Sequence, residues 1–343
     1  MILKNLATAC LLTIGVSAAA AAPTDTVKPA FSYKPEFHGT LRARFEQTTE
    51  GKSAGRFQVR NARLSVGGKI APVLSYFVRA DLCDKGKFSM LDAYATFMPS
   101  KTWKIVAGQS RIPFSVDASR AVNGYLFTNR SFIGKQVGNR RGVGVKGGYS
   151  PTAIPLYVEA GIFNATKIGD HTEWQTKYSY GAKARYTFGE VFVEGGFKSE
   201  VPDGIRINHT DFCVQWTDGR WLAEAEYVYK HYTNSAFDPC HAYNFMADYR
   251  WPIKTSFFNR MSVQARFDGM THHSDGEIDE DTGTLIADDI RRNRLTLGST
   301  ISYIRGDMHA DLRLNYEQYF FPSGAVIPVG GGSKVSVEMI LRF

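Results

Sequence analysis

Segments of about ten residues in which apolar and charged side chains alternate recur along this chain, and few folds can house such segments in number. In YSYGAKARYTF, Tyr178, Tyr180, Ala182, Ala184 and Tyr186 share one face, with Ser179, Lys183 and Arg185 on the other. WLAEAEYVYK sets Trp221, Ala223, Ala225, Tyr227 and Tyr229 against Glu224, Glu226 and Lys230. AYNFMADYRW sets Tyr243, Phe245, Ala247, Tyr249 and Trp251 against Asn244, Asp248 and Arg250, and ADLRLNYEQY sets Ala310, Leu312, Leu314 and Tyr316 against Asp311, Arg313, Asn315 and Glu317. Side chains of a strand point alternately to its two faces, so each segment reads as a strand with one oily and one charged side. A water-soluble sandwich also alternates. Here the polar face is fully charged on nearly every strand, and Tyr, Trp and Phe bracket the apolar face. That arrangement fits an all-β transmembrane antiparallel barrel, with lipid outside and a water-filled lumen inside.

The connections support this reading. About sixteen strands can be counted, and their links alternate between short and long, as in outer-membrane barrels. Short links fall at 71–72, 99–102, 150–153, 188–190, 217–220, 252–256 and 305–308; longer ones include 113–139, 164–176, 270–290 and 320–332. An even strand number returns both ends of a closed barrel to the periplasm. The last strand is then SKVSVEMILRF, whose Val335, Val337, Met339, Leu341 and Phe343 alternate with Lys334, Ser336, Glu338 and Arg342. Phe343 resembles the carboxyl-terminal aromatic signal read by barrel-assembly machinery. Strict alternation fails within residues 57–70, where a phase break is expected.

The first 22 residues read as a secretory signal peptide, with Lys4, an apolar run from Leu6 to Val16 and then small residues. Residues 23–34 read as an extended periplasmic lead-in and 35–343 as the outer-membrane barrel. The apolar run is shorter than the roughly 20 residues of a membrane-spanning helix. The expected location is the outer membrane of a Gram-negative bacterium, in contact with its lipid and lipopolysaccharide. Removal of Cys10 with the signal leaves Cys83, Cys213 and Cys240, an odd number without a disulfide pattern. His209, Asp211 and Cys213 alternate on one face, but without a second ligand cluster they read as wall residues, and no metal or cofactor is expected.

No G-x-S-x-G, H-E-x-x-H or phosphate-loop motif occurs, and His272, His273 and Asp275 share one acidic loop and do not form a catalytic set. An enzyme is not expected. Function should lie in the lumen. The segment PFSVDASRAVNGYLFTNRSFIGKQVGN, residues 113–139, is long and apolar for a loop in water. Folding into the barrel would hide its apolar surface. Between Gln109 and Arg141 stand Arg111, Arg120, Arg130, Lys135, Arg140 and Arg141 against Asp117 alone, net +5 of the chain's +8. A basic constriction between low-dielectric walls favours anions. A high pI therefore does not require nucleic acid, and no nucleic-acid partner is expected. Each arginine has a bland alternative, pairing with wall carboxylates such as Asp92 and Glu159 or with lipopolysaccharide phosphates.

GQSRIPF (108–114), LFTNRS (126–131) and GNRRGVGV (138–145) resemble the central segment of the phosphate-selective porin O and P family. The resemblance implies a sixteen-stranded homotrimeric porin whose third loop folds inward, with loop and wall arginines and a constriction lysine guiding phosphate. Candidate wall arginines are Arg42, Arg44, Arg63, Arg79, Arg185, Arg260, Arg266, Arg294 and Arg313, interleaved with Glu46, Asp81, Glu224, Glu226, Asp268, Asp311 and Glu317. The expected function is passive diffusion of small hydrophilic solutes with preference for anions, phosphate among them. A non-conducting structural or adhesive barrel is the alternative. Residues 271–290 carry Asp275, Glu277, Asp279, Glu280, Asp281, Asp288 and Asp289 and no Lys or Arg. This segment is expected to project outside, away from the constriction, because its acids would oppose anion entry.

Overall fold

A computed structural model describes residues 32–84, 86–138, 140–165 and 174–343. The segment read as a signal peptide and most of that read as a lead-in lie outside the described residues. Among the described residues sixteen strands follow in chain order. The first eight are β1 (Glu36–Thr48), β2 (Gly55–Ala71), β3 (Leu74–Asp84), β4 (Lys87–Phe97), β5 (Trp103–Arg111), β6 (Arg141–Tyr149), β7 (Leu156–Asn164) and β8 (Tyr178–Phe188). The second eight are β9 (Val191–Glu200), β10 (Ile207–Asp218), β11 (Trp221–Tyr232), β12 (Cys240–Pro252), β13 (Arg260–Met270), β14 (Arg292–Arg305), β15 (Met308–Phe320) and β16 (Lys334–Arg342). Each strand pairs antiparallel with its sequence neighbours, and β16 closes on β1 with Leu41 opposite Leu341 and Arg44 opposite Glu338. Closure leaves no strand edge unpaired in hydrocarbon. The expected closed barrel is what the chain forms.

Its burial is inside out. Along β15, Asp311, Arg313, Asn315 and Glu317 are at most 4% exposed, whereas Leu312, Leu314 and Tyr316 are 38–51% exposed. The four alternating segments read from the sequence all place their apolar face outward. Aromatic pairs stand at both ends of that outer face. Trp103 meets Tyr149 (4.6 Å between ring centroids) and Trp221 meets Tyr249 (4.5 Å) near the short turns. Phe45 meets Phe57 (4.7 Å) and Tyr243 meets Phe267 (6.0 Å) near the long links. Such girdles flank the apolar band of outer-membrane barrels, where long links face outward and short turns inward.

Strict regularity breaks in several places, among them register shifts of β3 against β2 and β4. The link between β3 (ending at Asp84) and β4 (starting at Lys87) is short although it lies on the long-link side. In β2 the phase break is a β-bulge: Arg42 faces Asn61 and the next residue, Ala43, faces Val59. Arg60 is the extra residue, and the bulge re-aims the strand there.

Candidate functional site

The link from β5 to β6, residues 112–140, is the third on the long-link side, and it folds into the barrel. Ser115 has φ 57° and starts a four-residue helix, α1 (Val116–Ser119), with its hydroxyl oxygen accepting from the Ala118 N–H. The carboxylate of Glu226 on β11 accepts from Ser115 Oγ (2.7 Å), Val116 N (2.8 Å) and Asp117 N (3.0 Å). Further along the loop, Arg42 of β1 donates to the Thr128 carbonyl (2.7 Å) and Arg266 of β13 to the Asn129 carbonyl (2.9 Å). Arg294 of β14 donates to the Arg130 carbonyl (2.7 Å), while Asp268 of β13 accepts from Phe132 N (3.0 Å). The loop thus crosses from one side of the wall to the other.

The apolar content of the loop explains its placement. Phe114, Phe132, Ile133 and Val137 pack against Val228, Cys240, Ala242 and Met270, and Phe127 packs against Leu222 and Met246. These inner-wall positions interrupt the charged stripe of β11–β13, so the loop seats oil on oil. Gly181 of β8 leaves room for the loop's start. A Cβ there would lie 2.6 Å from Ile112 Cγ2 and 2.7 Å from the Pro113 carbonyl oxygen.

The six basic residues singled out in this segment do not act alike. Arg120 pairs with Glu224 (2.5 Å) and Asp117 (3.2 Å), Arg140 with Glu200 (3.3 Å), and Arg141 with Asp92 (2.9 Å). Arg111 donates to the Ala118 carbonyl. Arg130 is held by the carbonyls of Asp117 (3.3 Å) and Ala118 (3.2 Å) and lies over the Tyr125 ring at 5.3 Å. Lys135 makes no ion pair among the described residues. For Arg120, Arg140 and Arg141 the carboxylate-pairing alternative holds. Asp92 is one of the two acids considered for this role, while Glu159 pairs with Lys146 (3.0 Å).

The wall arginines face the lumen, most of them paired. Arg42 meets Glu338 (2.7 Å), Arg44 meets Glu46 (3.4 Å), Arg63 meets Asp81 (2.8 Å) and Arg79 meets Asp92 (3.5 Å). Arg185 meets Glu194 (2.8 Å), Arg266 meets Asp268 (3.4 Å), and Arg294 meets both Asp268 (2.8 Å) and Glu317 (3.2 Å). Arg313 lies 3.6 Å from Asp311 and 3.7 Å from Glu338, while Arg260 reaches the Ser302 hydroxyl at 3.5 Å. Interleaved acids thus become partners, some across strands, as in Arg42–Glu338 and Arg294–Asp268, and some two residues along the same strand, as in Arg44–Glu46 and Arg266–Asp268.

Above the loop, on the long-link side, lies a cavity of 610 Å³. Eight basic residues line it (Arg44, Arg56, Arg60, Arg130, Lys135, Arg292, Arg294, Lys334) against three acids, Glu46, Asp288 and Asp289. The Lys135 side chain is open to the cavity, yet protein surrounds it. Burial, together with Arg60, Arg294 and Arg292, lowers its ammonium to about 8. A second cavity of 340 Å³, on the short-turn side beneath Ala121 and Val122, is lined by Arg63, Arg79 and Arg342 against Asp307, with His38, His309 and Phe343. Cations therefore predominate on both sides of the loop.

Several members of this site escape sequence reasoning. Arg60 reaches the cavity through the bulge, which alternation cannot anticipate beyond a break in phase. Tyr125, with Arg42 and Arg130 over its ring, and Lys334 at the start of β16 were not singled out as site residues. The acidic segment 271–290 requires a correction. Its tip, Glu280–Thr284, is exposed, but Asp288 and Asp289 line the cavity beside Lys135. Lys230 donates to the Ser274 carbonyl (2.6 Å) and to His273 (3.0 Å), and Tyr232 donates to the same carbonyl (2.8 Å), so the segment's root is fastened to the wall.

The three described cysteines are free thiols. Donor atoms of Cys213, Glu224 and Glu226 lie within 4.8 Å of one another, but both carboxylates are engaged, Glu226 by the loop and Glu224 by Arg120. His209 does not join Cys213; it packs edge-on against Phe114 at 5.7 Å and lies 3.7 Å from Glu200.

Residues 31–201 match the family model described as phosphate-selective porin O and P. Among solved structures, an anion-selective porin from Comamonas acidovorans superposes with TM-score 0.63 at 10% identity, covering 90% of this chain and 98% of that one. OmpF of Salmonella typhi, solved with daunomycin, gives TM-score 0.62 at 12% identity over 91% and 98%. The trimer form of OmpT from Vibrio cholerae gives 0.58 at 11% over 90% and 98%. At these identities the likeness is one of fold. None of the curated proteins matches the chain significantly in sequence.

Proposed function

Because the chain belongs, over residues 31–201, to the phosphate-selective porin O and P family, we propose that it is an outer-membrane porin passing small hydrophilic solutes by diffusion, with preference for anions, phosphate included. The observation that carries the anion preference is the excess of cations over carboxylates in the cavity above the folded-in loop, together with Lys135, which has no ion-pair partner among the described residues. Low-dielectric walls strengthen the field of such charges and raise the local anion concentration. Passage rather than catalysis is the work of this lumen. A homotrimer in outer-membrane lipid and lipopolysaccharide, inserted by assembly machinery that reads Phe343, completes the reading; the trimeric OmpT form supports the assembly by analogy of fold.

Reversal potentials across planar bilayers in a KCl gradient test it. An anion-selective sign is expected, weakened in a variant carrying Arg130→Gln and Lys135→Gln. A cation-selective or neutral wild-type channel would sink the anion preference. Absence of any conductance from correctly folded protein would favour the non-conducting barrel.

A further inference from the structure

We propose that the cavity above the loop binds organic carboxylates with an aromatic or branched apolar body in preference to inorganic phosphate. This rests on the anion-preferring reading and names the substrate class. The wall of the cavity is chemically divided. Tyr319 and Phe321 form a stacked shelf, with ring centroids 5.8 Å apart and planes 9° apart. Above them, Val326 and Ile327 stand 90% and 43% exposed on the β15–β16 link. Lys135 stands on the charged side, and Lys334, whose ammonium lies 5.6 Å from the Tyr319 ring centroid, stands where the two sides meet. Neither is in an ion pair among the described residues, and Lys334 donates to the Gly330 carbonyl (2.6 Å).

Bidentate recognition of phosphate uses guanidinium forks with free donors, whereas a lysine meets phosphate or carboxylate alike as a point charge. The forks in this cavity are largely taken. Arg292 holds Asp289 (2.5 Å), Arg294 holds Asp268 and Glu317, and Arg44 is spent on Glu46, Thr128 and Asn129. Arg56 also holds Glu46 (2.6 Å), and Arg130 gives Nη2 to the carbonyls of Asp117 and Ala118. Lys135 and Lys334 offer point charges, to which a carboxylate can bind. A strongly hydrated oxyanion gains nothing from the shelf, whereas an apolar body removes its own surface and the shelf's from water. A volume of 610 Å³ lies within the range of small-molecule sites.

The test is current block in planar bilayers by benzoate, acetate, phosphate and neutral benzyl alcohol. Benzoate should block at concentrations about tenfold below acetate or phosphate, the factor expected from burying part of an aromatic ring, and benzyl alcohol should not block. Phe321→Ser should remove that benzoate advantage and leave the KCl reversal potential unchanged. A Val326→Ser, Ile327→Ser variant on the exposed link should reduce the advantage with no demand on barrel folding. Lys135→Gln with Lys334→Gln should weaken benzoate and shift the reversal potential together. Phosphate blocking as well as benzoate, or benzoate block indifferent to Phe321→Ser and the link variant, overturns this inference while an anion-selective reversal potential leaves the porin reading intact. A reversal potential without anion preference overturns that reading instead.

Discussion

Ser115 Oγ donates to Glu226 Oε1 at 2.7 Å, joining the strained residue that caps α1 in the folded-in loop to the inner face of β11. The same hydroxyl oxygen accepts from Ala118 N (3.1 Å), so one serine caps the short helix and fastens it to the wall. Non-glycine backbone at φ 57° is unfavourable and persists when its surroundings hold it in place. Here the surroundings are one carboxylate accepting three donors.

Removing that carboxylate should release the loop. Glu226→Ala leaves two buried N–H groups and a hydroxyl without their acceptor, at a cost of about 1–3 kcal/mol each if the loop stays in place. The loop avoids the penalty by moving toward water. Single-channel conductance should rise and become noisier, while heat-modifiable gel migration shows an intact barrel. Unchanged conductance and noise would mean that the other anchors suffice.

Gly181→Val should act in the opposite direction. The added side chain meets the Pro113 carbonyl, which is backbone and cannot rotate aside, so the root of the loop is pushed off β8 into the lumen. Overpacking of this kind costs about 1–3 kcal/mol. Conductance should fall relative to wild type, with strand content by circular dichroism unchanged. A channel with wild-type conductance would show that the loop root does not bound the pore.

How much of this was legible beforehand differs from element to element. β15 could be read almost completely, since Asp311, Arg313, Asn315 and Glu317 alternate with leucines and a tyrosine, and lipid outside with water inside dictates that period. Inward folding of the third loop was legible because its Phe and Ile residues have no reason to face water. Pairing was not. Arg294 finds Asp268 directly opposite on β13, a relation fixed by strand register, which composition does not specify. Arg60 was hidden by a bulge, and Tyr319 reads as a girdle aromatic until β15 is seen to carry it on the Glu317 face, lining the cavity.

Anion preference should depend on pH through Lys135. Its ammonium is lowered to about 8, so the charge is present below that value and lost as pH rises through it. Reversal potentials should shift toward zero between about pH 7 and pH 9, a span of one unit on either side of that value. Lys135→Arg should abolish this shift, because a guanidinium stays charged throughout. An identical pH profile in both proteins would remove Lys135 from the selectivity mechanism.

Arg42 and Glu338 should be worth more as a pair than either alone. Both side chains are buried, and Arg42 also binds Asn61 and the Thr128 carbonyl. Arg42→Met strands the carboxylate with Arg313 at 3.7 Å as its remaining cation, and loss of one partner of a buried pair costs about 3–5 kcal/mol. The urea midpoint in detergent should fall accordingly. Arg42→Met with Glu338→Met should recover part of the loss, since no buried charge is then left unpaired. A double variant less stable than Arg42→Met alone would contradict this.

The acidic link between β13 and β14 should be cut at its tip and spared at its root. Glu280 and Asp281 are exposed, next to a turn in which Asp279 Oδ1 accepts from Asp281 N and Thr282 N (2.9 Å each). His273 and Ser274 are buried and tied to Lys230 and Tyr232, and Asp289 is paired with Arg292. A protease must draw several residues of backbone into extended form, which the tip can supply and the root cannot without breaking those bonds. An acidic-residue protease added to intact cells should therefore cleave after Glu280 or Asp281 before Asp275 or Asp289, as fragment masses would show. Because Asp288 and Asp289 remain beside Lys135 after such a cut, the reversal potential of the nicked channel should match that of the intact one. First cleavage at Asp289 would mean that the root is not fastened, and a nicked channel with stronger anion preference would mean that the acids of the tip share their field with the pore.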